Sequence, residues 1–298
     1  MVALRFLWLA ALALVLAGAA SPSVSKPGTI AYACARGGAS AICVIRLDGT
    51  GQHRLTRPSL TAAEPAWSAD GRRIAFAASR AGDRFGIFVM NADGSGLRRV
   101  TAGPGNDRDP AWSPDGRRIA FDSDRTGDEE IYVVRIDGTG LRRLTRDPAA
   151  DLDPAWSPDG RKIAFGSDRS DYFQVYVMSA DGRAQQWLTR DRGGEPAWSP
   201  NGKRIAFASA RDGDPDVYVM NTDGTGQQAL THNDAQDFPP TWSPDGRRIA
   251  FASDRDGNFE IYVTDADGRH QRRLTRSPRD DTDPAWQPTS ATPRRARD

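Results

Sequence analysis

The sequence predicts an all-β protein: a six-bladed β-propeller of four-stranded antiparallel blades, closed by a C-terminal strand that completes the N-terminal blade. Three observations support this fold. Six tryptophans recur in one local context, at intervals of 45, 44, 42, 44 and 44 residues: Trp67, Trp112, Trp156, Trp198, Trp242 and Trp286. Each interval carries turn signals between short apolar stretches, and the fragments at the two ends complement each other. A repeat of this length with several short strands is typical of propeller blades.

The copy that begins at Pro240 contains every element of the repeat in order. A short strand, a, comes first, and the turn Ser-Pro-Asp-Gly at 243–246 follows it. In this turn Pro fixes φ, Asp bonds back to the backbone and Gly accepts positive φ. Alternation of polar and apolar residues predicts strand b over 248–253. A reversal follows, and residues 260–263 are predicted as strand c. An Asp-Gly hairpin then leads to strand d at 272–275.

The two ends of the repeat region complete one another. Five full copies begin at Pro65, Pro110, Pro154, Pro196 and Pro240. Ahead of them, residues 28–56 match strands b, c and d but lack strand a. After them, residues 283–288 match strand a alone. The two fragments together predict a sixth, composite blade, and their pairing closes the ring and leaves no open end.

The N-terminus has the composition of a secretory signal peptide. Arg5 supplies the positive charge of the n-region, residues 6–20 are apolar or small, and Ala17-Gly18-Ala19 has the pattern of a cleavage site. A membrane anchor is the alternative, but the stretch is shorter than the roughly 18–20 residues that a spanning helix needs. The predicted organisation is a signal peptide at 1–20, a short linker at 21–27, the propeller at 28–288 and a disordered tail at 289–298.

The charge of the chain is balanced, with 40 Lys and Arg against 39 Asp and Glu and a net charge of +1. Such a chain has no overall field to attract nucleic acid or an anionic membrane. We therefore expect no nucleic-acid binding and no membrane insertion after signal cleavage. The expected product is a monomer in the periplasm or the extracellular space.

The pattern Pro-x-Trp-Ser-Pro-Asp-Gly-Arg-x-Ile-Ala-Phe-x-Ser-Asp-Arg, followed by Ile-Tyr, Asp-Gly and Leu-Thr, resembles the TolB-type propeller repeat over about residues 28–288. The resemblance implies a six-bladed ring. TolB is a periplasmic component of the Tol–Pal envelope system, and its propeller docks a lipoprotein partner. It carries an α/β domain ahead of the propeller, whereas here only residues 21–27 separate the signal peptide from the first strand. Similar repeats occur in prolyl-oligopeptidase-type hydrolases and in certain pectate-fragment lyases.

The loops between strands b and c supply the candidate partner-binding residues. One set is an arginine that follows the repeat: Arg80, Arg125, Arg169, Arg211 and Arg255. The alternative role for these arginines is to pair with nearby carboxylates and tie adjacent blades together. A second set breaks the symmetry of the repeat: Phe85, Glu129, Tyr172, Phe173, Asp214, Asn258 and Phe259. Exposed aromatic residues on loops often anchor a protein partner, although packing against the neighbouring blade is the alternative here.

Few residues point to metal binding or catalysis. The three histidines, His53, His232 and His270, form no ligand pair at a useful spacing. The segment 212–216 is acidic but lacks the rest of a calcium-binding loop, and an acidic turn is the simpler interpretation. Neither a Gly-x-Ser-x-Gly motif nor a Gly-rich phosphate loop occurs. We therefore expect no catalytic residue, no metal site and no cofactor.

The two cysteines lie on adjacent predicted strands of the composite blade. Cys34 aligns with Ser253 in strand b, and Cys43 aligns with Tyr262 in strand c. Since export allows disulfides to form, we predict a Cys34–Cys43 disulfide across this hairpin, with two free thiols as the alternative.

These observations favour an exported, non-enzymatic scaffold that binds a cell-envelope or extracellular protein through its loop face or central channel. The alternative is a propeller-type lyase or hydrolase that acts on a carbohydrate or lactone with a metal in the channel. A sensor of a small ligand is a third interpretation that the sequence does not separate from the first.

Overall fold

The computed structural model describes residues 28–36 and 38–289. The predicted signal peptide (1–20), linker (21–27) and tail, except for Thr289, lie outside this part of the chain. Within it, the backbone forms 24 strands in six four-stranded antiparallel sheets. The same residues contain no helix that is long and apolar enough to cross a membrane. The six-bladed, all-β propeller is therefore confirmed.

We number the five complete blades 1 to 5 along the chain and call the composite blade 6. Blade 6 pairs the last strand with the first three: β1 (Thr29–Arg36), β2 (Ala39–Arg46), β3 (His53–Arg54) and β24 (Asp281–Trp286). Blade 1 contains β4 (Thr61–Trp67), β5 (Arg73–Ser79), β6 (Gly86–Asn91) and β7 (Arg98–Arg99). Blade 2 contains β8 (Asp107–Trp112), β9 (Arg118–Ser123), β10 (Glu130–Arg135) and β11 (Arg142–Arg143). Blade 3 contains β12 (Asp151–Trp156), β13 (Lys162–Ser167), β14 (Gln174–Ser179) and β15 (Gln186–Trp187). Blade 4 contains β16 (Gly194–Trp198), β17 (Arg204–Ser209), β18 (Asp216–Asn221) and β19 (Gln228–Ala229). Blade 5 contains β20 (Asp237–Trp242), β21 (Arg248–Ser253), β22 (Glu260–Asp265) and β23 (Arg272–Arg273).

Strand a is the innermost strand of each blade, and the six strands a contact one another in a ring around the channel: β4, β8, β12, β16, β20 and β24. These strands begin earlier than the sequence predicts. In blade 6, for example, strand a starts at Asp281 rather than at about residue 283. Strands b and c carry the core, since they are buried along almost their whole length.

The tryptophan of the repeat joins each blade to the one before it. In four of the six blades its indole Nε1–H donates to the backbone carbonyl of an alanine in the preceding strand a. Trp112 donates to Ala66 at 3.1 Å and Trp242 donates to Ala197 at 3.1 Å. Trp67 makes the same bond to Ala285 at 3.2 Å, across the junction between the two ends of the chain. The periodic tryptophan thus provides a contact between blades as well as apolar surface.

Hydrogen bonds within the turn between strands a and b explain why its sequence pattern recurs in the repeat. Ser243 Oγ accepts the Arg248 amide at 2.9 Å and lies 2.6 Å from Asp245 Oδ1. Asp245 also accepts the Arg247 amide. Gly246 completes the turn with φ of 67°, in the left-handed region that favours glycine. The Ser-x-Asp-Gly pattern is therefore a self-contained turn that starts strand b.

The composite blade contains a disulfide between Cys34 in β1 and Cys43 in β2. Their Cα atoms are 5.9 Å apart, and both side chains are fully buried in the cluster between blades 5 and 6. In the strand register Cys34 faces Ala41, and Cys43 faces Tyr32. The bridge therefore runs diagonally across the hairpin.

Candidate functional site: an acid-lined channel

A β-bulge in every strand a turns one side chain toward the channel. The register between strands a and b shifts two or three residues before the tryptophan of the repeat. In five blades the residue at this bulge is acidic, precedes a proline and has φ between 47° and 56°. Bulges commonly re-aim a side chain in this way. We call these five residues the acid ring: Glu64, Asp109, Asp153, Glu195 and Asp283. In blade 5 Pro239 takes the equivalent position.

The acid ring lines a cavity of about 330 Å³ at the centre of the propeller. Among the described residues that line it, five are acidic and none is basic. Asp122 adds a sixth carboxylate beside the ring from strand b of blade 2, at a position where the other blades have alanine or glycine. Arg108 pairs with Glu64 at 3.3 Å, but its side chain is itself 41% exposed. The channel is therefore lined by acidic groups that outnumber the basic groups near them.

Hydrogen bonds pass from blade to blade around the acid ring. The Asp109 amide donates to Glu64 Oε2 at 2.9 Å, and the Asp153 amide donates to Asp122 Oδ1 at 3.3 Å. The Glu195 amide likewise donates to the Asp153 carboxylate. Each of these carboxylates thus receives a backbone donor from the next blade.

The pattern fails at blade 5, because proline has no amide hydrogen to donate. Pro239 therefore leaves Glu195, its neighbour in the ring, without the donor that the other carboxylates receive. Within the described residues, the buried Oε2 atom of Glu195 has no hydrogen-bond partner.

The acidic groups of the channel are harder to ionise than ordinary carboxyl groups. Burial raises the pKa of Asp153 to about 7, and the charges of Glu64 and Asp283 add to the effect. Burial is also the main reason why the pKa of Glu195 is raised, followed by the charge of Asp153. The pKa of Asp122 is raised by the same causes. A cation in the channel would remove much of this electrostatic cost.

Three of the carboxylates are close enough to share one metal ion. Asp109, Asp122 and Asp153 each offer an oxygen, and these oxygens lie within 4.8 Å of one another. An all-oxygen set suits a hard divalent cation such as Ca²⁺, Mg²⁺ or Mn²⁺. The sequence analysis predicted no metal site, and it missed this group because the three residues come from three different strands of two blades.

Three of the candidate arginines are held by aspartates of their own blade. Arg125 binds Asp107 at 2.6 Å. The same contact joins Arg169 to Asp151 at 2.8 Å and Arg255 to Asp237 at 2.9 Å. These three arginines pair with nearby carboxylates, as the alternative role considered from the sequence expected, but the idea that such pairs tie adjacent blades together is wrong for them. Each pair links the start of strand a to the loop after strand b within one sheet.

The other two candidate arginines lack this pairing. Arg80 is exposed. Arg211 in blade 4 is 3.7 Å from the exposed Asp191, and its Nη2 atom is buried without a hydrogen-bond partner among the described residues. The cause is the same in both blades: the position of the pairing aspartate is taken by Ala62 in blade 1 and by Gly193 in blade 4.

The symmetry-breaking candidates fall into two groups. Phe85 and Phe259 are partly buried against the cores of neighbouring strands, and Asn258 is held by the Arg279 carbonyl at 3.0 Å. Glu129 and Asp214 are exposed on loops. Tyr172 and Phe173, in contrast, are exposed and line a second cavity that reaches the acid ring. The structure thus brings two of the predicted residues close to the channel.

The acid ring itself is the feature that sequence reasoning missed. The signal was visible as an acidic residue directly before the first proline of five copies, with Pro239 as the exception. A residue that recurs in every copy of a repeat is usually interpreted as structural. Its recurrence also does not tell which way its side chain points. The β-bulge that turns this acidic side chain toward the channel cannot be predicted from residue type alone.

Comparisons with known proteins agree with the geometry. The family model described as the TolB beta propeller domain matches residues 13–130, 124–194 and 190–292. TolB from Acinetobacter baumannii is similar in structure, with a TM-score of 0.79 and 25% identity over 88% of this chain and 67% of that chain. A protein assigned as TolB from Agrobacterium tumefaciens has a TM-score of 0.70 and 21% identity over 89% of this chain and 93% of that one.

More distant structures share the fold only. An oligogalacturonate lyase in complex with manganese has a TM-score of 0.55 and 16% identity, over 85% of this chain and 75% of that chain. None of the curated proteins compared with the chain matches it.

Proposed function

This chain belongs to the TolB β-propeller family, and from that premise we propose that it is an exported, monomeric, non-enzymatic scaffold that binds a protein partner through the acid-lined channel. The partner belongs to the cell envelope or the extracellular space. Export is supported by the leader-like composition of residues 1–20. The single observation that carries the binding proposal is the acid ring.

The acid ring suits a partner with a basic segment. Buried carboxylates that lack cationic partners destabilise a folded protein. The cavity they line offers several of them to one ligand, with no basic side chain among its described lining residues. A lysine or arginine from a partner would supply the missing charge, and its removal from water would strengthen the attraction. The channel thus favours a basic, extended segment over an acidic one.

In-cell crosslinking followed by mass spectrometry tests this proposal. The wild-type chain should capture a defined partner, and the double variant Asp153→Asn, Glu195→Gln should lose it. A matched control neutralises two exposed aspartates on the turns between strands c and d, Asp93→Asn and Asp137→Asn. Equal capture by wild type and the channel variant would reject the channel as the binding site.

A metal-dependent enzyme is the second candidate, and the Asp109, Asp122 and Asp153 oxygens are the observation that favours it. In such an enzyme these carboxylates would hold a divalent ion, which would supply Lewis-acid chemistry. Metal analysis of the purified protein discriminates between the candidates. A divalent ion retained in stoichiometric amount, and lost in Asp122→Asn, would support the enzyme.

A further inference from the structure

Blade 4 departs from the repeat on the side that faces the channel. A cavity of about 610 Å³ opens there between blades 3, 4 and 5. Its apolar walls include Tyr172, Phe173 and Phe238, and it reaches the acid ring at Asp153 and Glu195. The exposed aromatic residues and the acid-lined channel therefore form one continuous surface, which also contains the Arg192 guanidinium, 4.4 Å from the centre of the Tyr172 ring.

The absence of a side chain at Gly194 opens this cavity. Gly194 pairs with Ala208 in the strand register, and the same register position holds Leu152 in blade 3 and Phe238 in blade 5. A Cβ atom added to Gly194 would meet nothing within 4 Å. The residue also lacks the positive φ that would require glycine. Neither backbone conformation nor packing therefore explains the glycine, whereas an open pocket does.

The same cavity contains Glu195, the carboxylate beside the interruption of the acid ring at Pro239. Glu195 lines the cavity, and its buried Oε2 atom lacks a donor because Pro239 follows it around the ring. A ligand whose apolar group entered between Tyr172 and Phe238 would bring its next polar group toward this carboxylate. A cationic donor is the group that this carboxylate lacks.

We propose that the cavity of blade 4 is a specificity pocket for a bulky apolar side chain, preferably aromatic, whose neighbouring Lys or Arg donates to Glu195. This assignment rests on the proposed function, since it names the segment of the protein partner that the channel accepts. The aromatic walls select the apolar residue, and the acid ring selects the adjacent positive charge.

Four synthetic Gly-Ser peptides test the assignment, each with one central pair: Phe-Arg, Ala-Arg, Phe-Gln or Phe-Glu. Calorimetric titration of the full-length protein should show that the Phe-Arg peptide binds best. The Ala-Arg and Phe-Gln peptides should each bind about tenfold more weakly or worse, because one loses apolar burial and the other loses a charge pair. The Phe-Glu peptide should not bind detectably.

Variants then separate the pocket from the channel. Gly194→Leu should fill the pocket without unfolding the protein, and Tyr172→Ala should remove a wall, so both should abolish the preference for Phe-Arg over Ala-Arg. Trp187→Ala is the matched control, since Trp187 is 53% exposed, as Tyr172 is, but lies in the outer strand β15. Glu195→Gln should abolish the preference for Phe-Arg over Phe-Gln and leave the aromatic preference in place.

Two results would overturn the assignment, and they differ in what they imply for the channel. If the Phe-Arg and Ala-Arg peptides bind equally and both need Glu195, the acid-lined channel binds basic segments but the pocket does not select an apolar residue. If no peptide binds the wild-type protein, both the pocket and the basic-segment preference fail.

Discussion

At the scale of single residues, the acid ring combines two features that each destabilise the folded chain. Its members are non-glycine residues with φ near 50°, a conformation that costs of order 1–3 kcal/mol unless the surroundings impose it. Burial also raises the pKa of the carboxyl groups of Glu64, Glu195 and Asp283, and the charge of another ring member adds to the effect for Glu64 and Glu195. Glycine would fit the bulge without strain and alanine would carry no charge. Acceptance of a backbone amide from the next blade offsets part of this cost, and a cation bound in the channel, as proposed above, would offset more of it.

Asp153 gives the first prediction, which concerns stability and pH. Its pKa is raised from an ordinary value of 3.8 to about 7, so between these values the folded state binds a proton that the unfolded state has released. Stability from this group is therefore complete below about pH 4 and is lost as the pH rises to about 7. With a chelator present, Asp153→Asn should raise the melting temperature at about pH 8, by about 2–4 °C for each kcal/mol regained. At about pH 4 the variant should melt like the wild type.

Asp137 is the control for this experiment, because its pKa moves in the opposite direction. Hydrogen bonds from Thr139 lower the pKa of this exposed carboxyl group. Its contribution to stability is present at neutral pH and disappears as the pH falls. Asp137→Asn should therefore leave the melting temperature at about pH 8 unchanged or slightly lower. A rise at about pH 8 in both variants, or in neither, would contradict the assigned role of Asp153.

Residue-level features differed in how far the sequence could predict them. The arginine and aspartate partners could be predicted because both follow the repeat and lie at the ends of paired strands. The contact between Asp122 and Asp153 could not, because it depends on the angle between blades 2 and 3. The unpaired Glu195 is harder still, since it follows from the missing amide of Pro239 on the neighbouring blade. Contacts between blades are invisible to a pattern that is read along one blade.

At the scale of elements, blade 4 is the blade that departs most from the others. Its strand a is one residue shorter than those of blades 2, 3 and 5. Gly193 also stands where blades 2, 3 and 5 have the aspartate that pairs with the loop arginine. The sequence showed this departure as the interval of 42 residues between Trp156 and Trp198. A shorter interval indicates a changed loop, but the cavity that results could only be found from the packing of three blades.

The hairpin β1–β2 gives a second prediction, on the disulfide. Closing a loop of nine residues should stabilise the protein by about 3 kcal/mol through the lost entropy of the unfolded chain. The free energy of unfolding of the double variant Cys34→Ala, Cys43→Ala, measured by denaturant titration, should therefore be lower by about that amount. Both side chains are fully buried, so alanine is preferable to serine, which would bury an unpaired hydroxyl group.

Alkylation of the denatured but unreduced wild type supplies the independent check. No label should enter before reduction, and two labels should enter afterwards. Full labelling without a reductant would show that the protein carries free thiols instead.

At the scale of the whole molecule, the ring could be predicted because its evidence is local and repeated. Each copy encodes its own turns and strands, and the two terminal fragments match complementary parts of one blade. The centre of the ring could not be predicted in the same way, because the channel exists only after all six blades have closed. The balanced total charge of the chain hides it as well: a net charge of +1 is compatible with a strongly acidic channel because arginines occupy the outer strands.

Closure itself gives the last prediction. Strand β24 pairs with β1, Trp286 is buried in the cluster between blades 5 and 6, and the Gln287 amide donates to the Thr29 carbonyl at 2.9 Å. Deletion of 283–298 removes four of the six residues of this strand, among them Trp286, and exposes the edge of β1, so the melting temperature should fall by about 10 °C or more. Deletion of 289–298 should leave it unchanged.

A single substitution separates strand pairing from tryptophan burial. Trp286→Ala keeps the backbone of β24 but leaves a cavity, and it should destabilise the ring by about 3–5 kcal/mol. Trp187→Ala on the exposed outer strand should cost far less. Because each blade contacts only its neighbours, an unclosed ring has two free faces from which unfolding can start. The longer deletion should therefore also broaden the calorimetric transition. If it melts at the wild-type temperature with a single sharp transition, strand β24 does not close the ring.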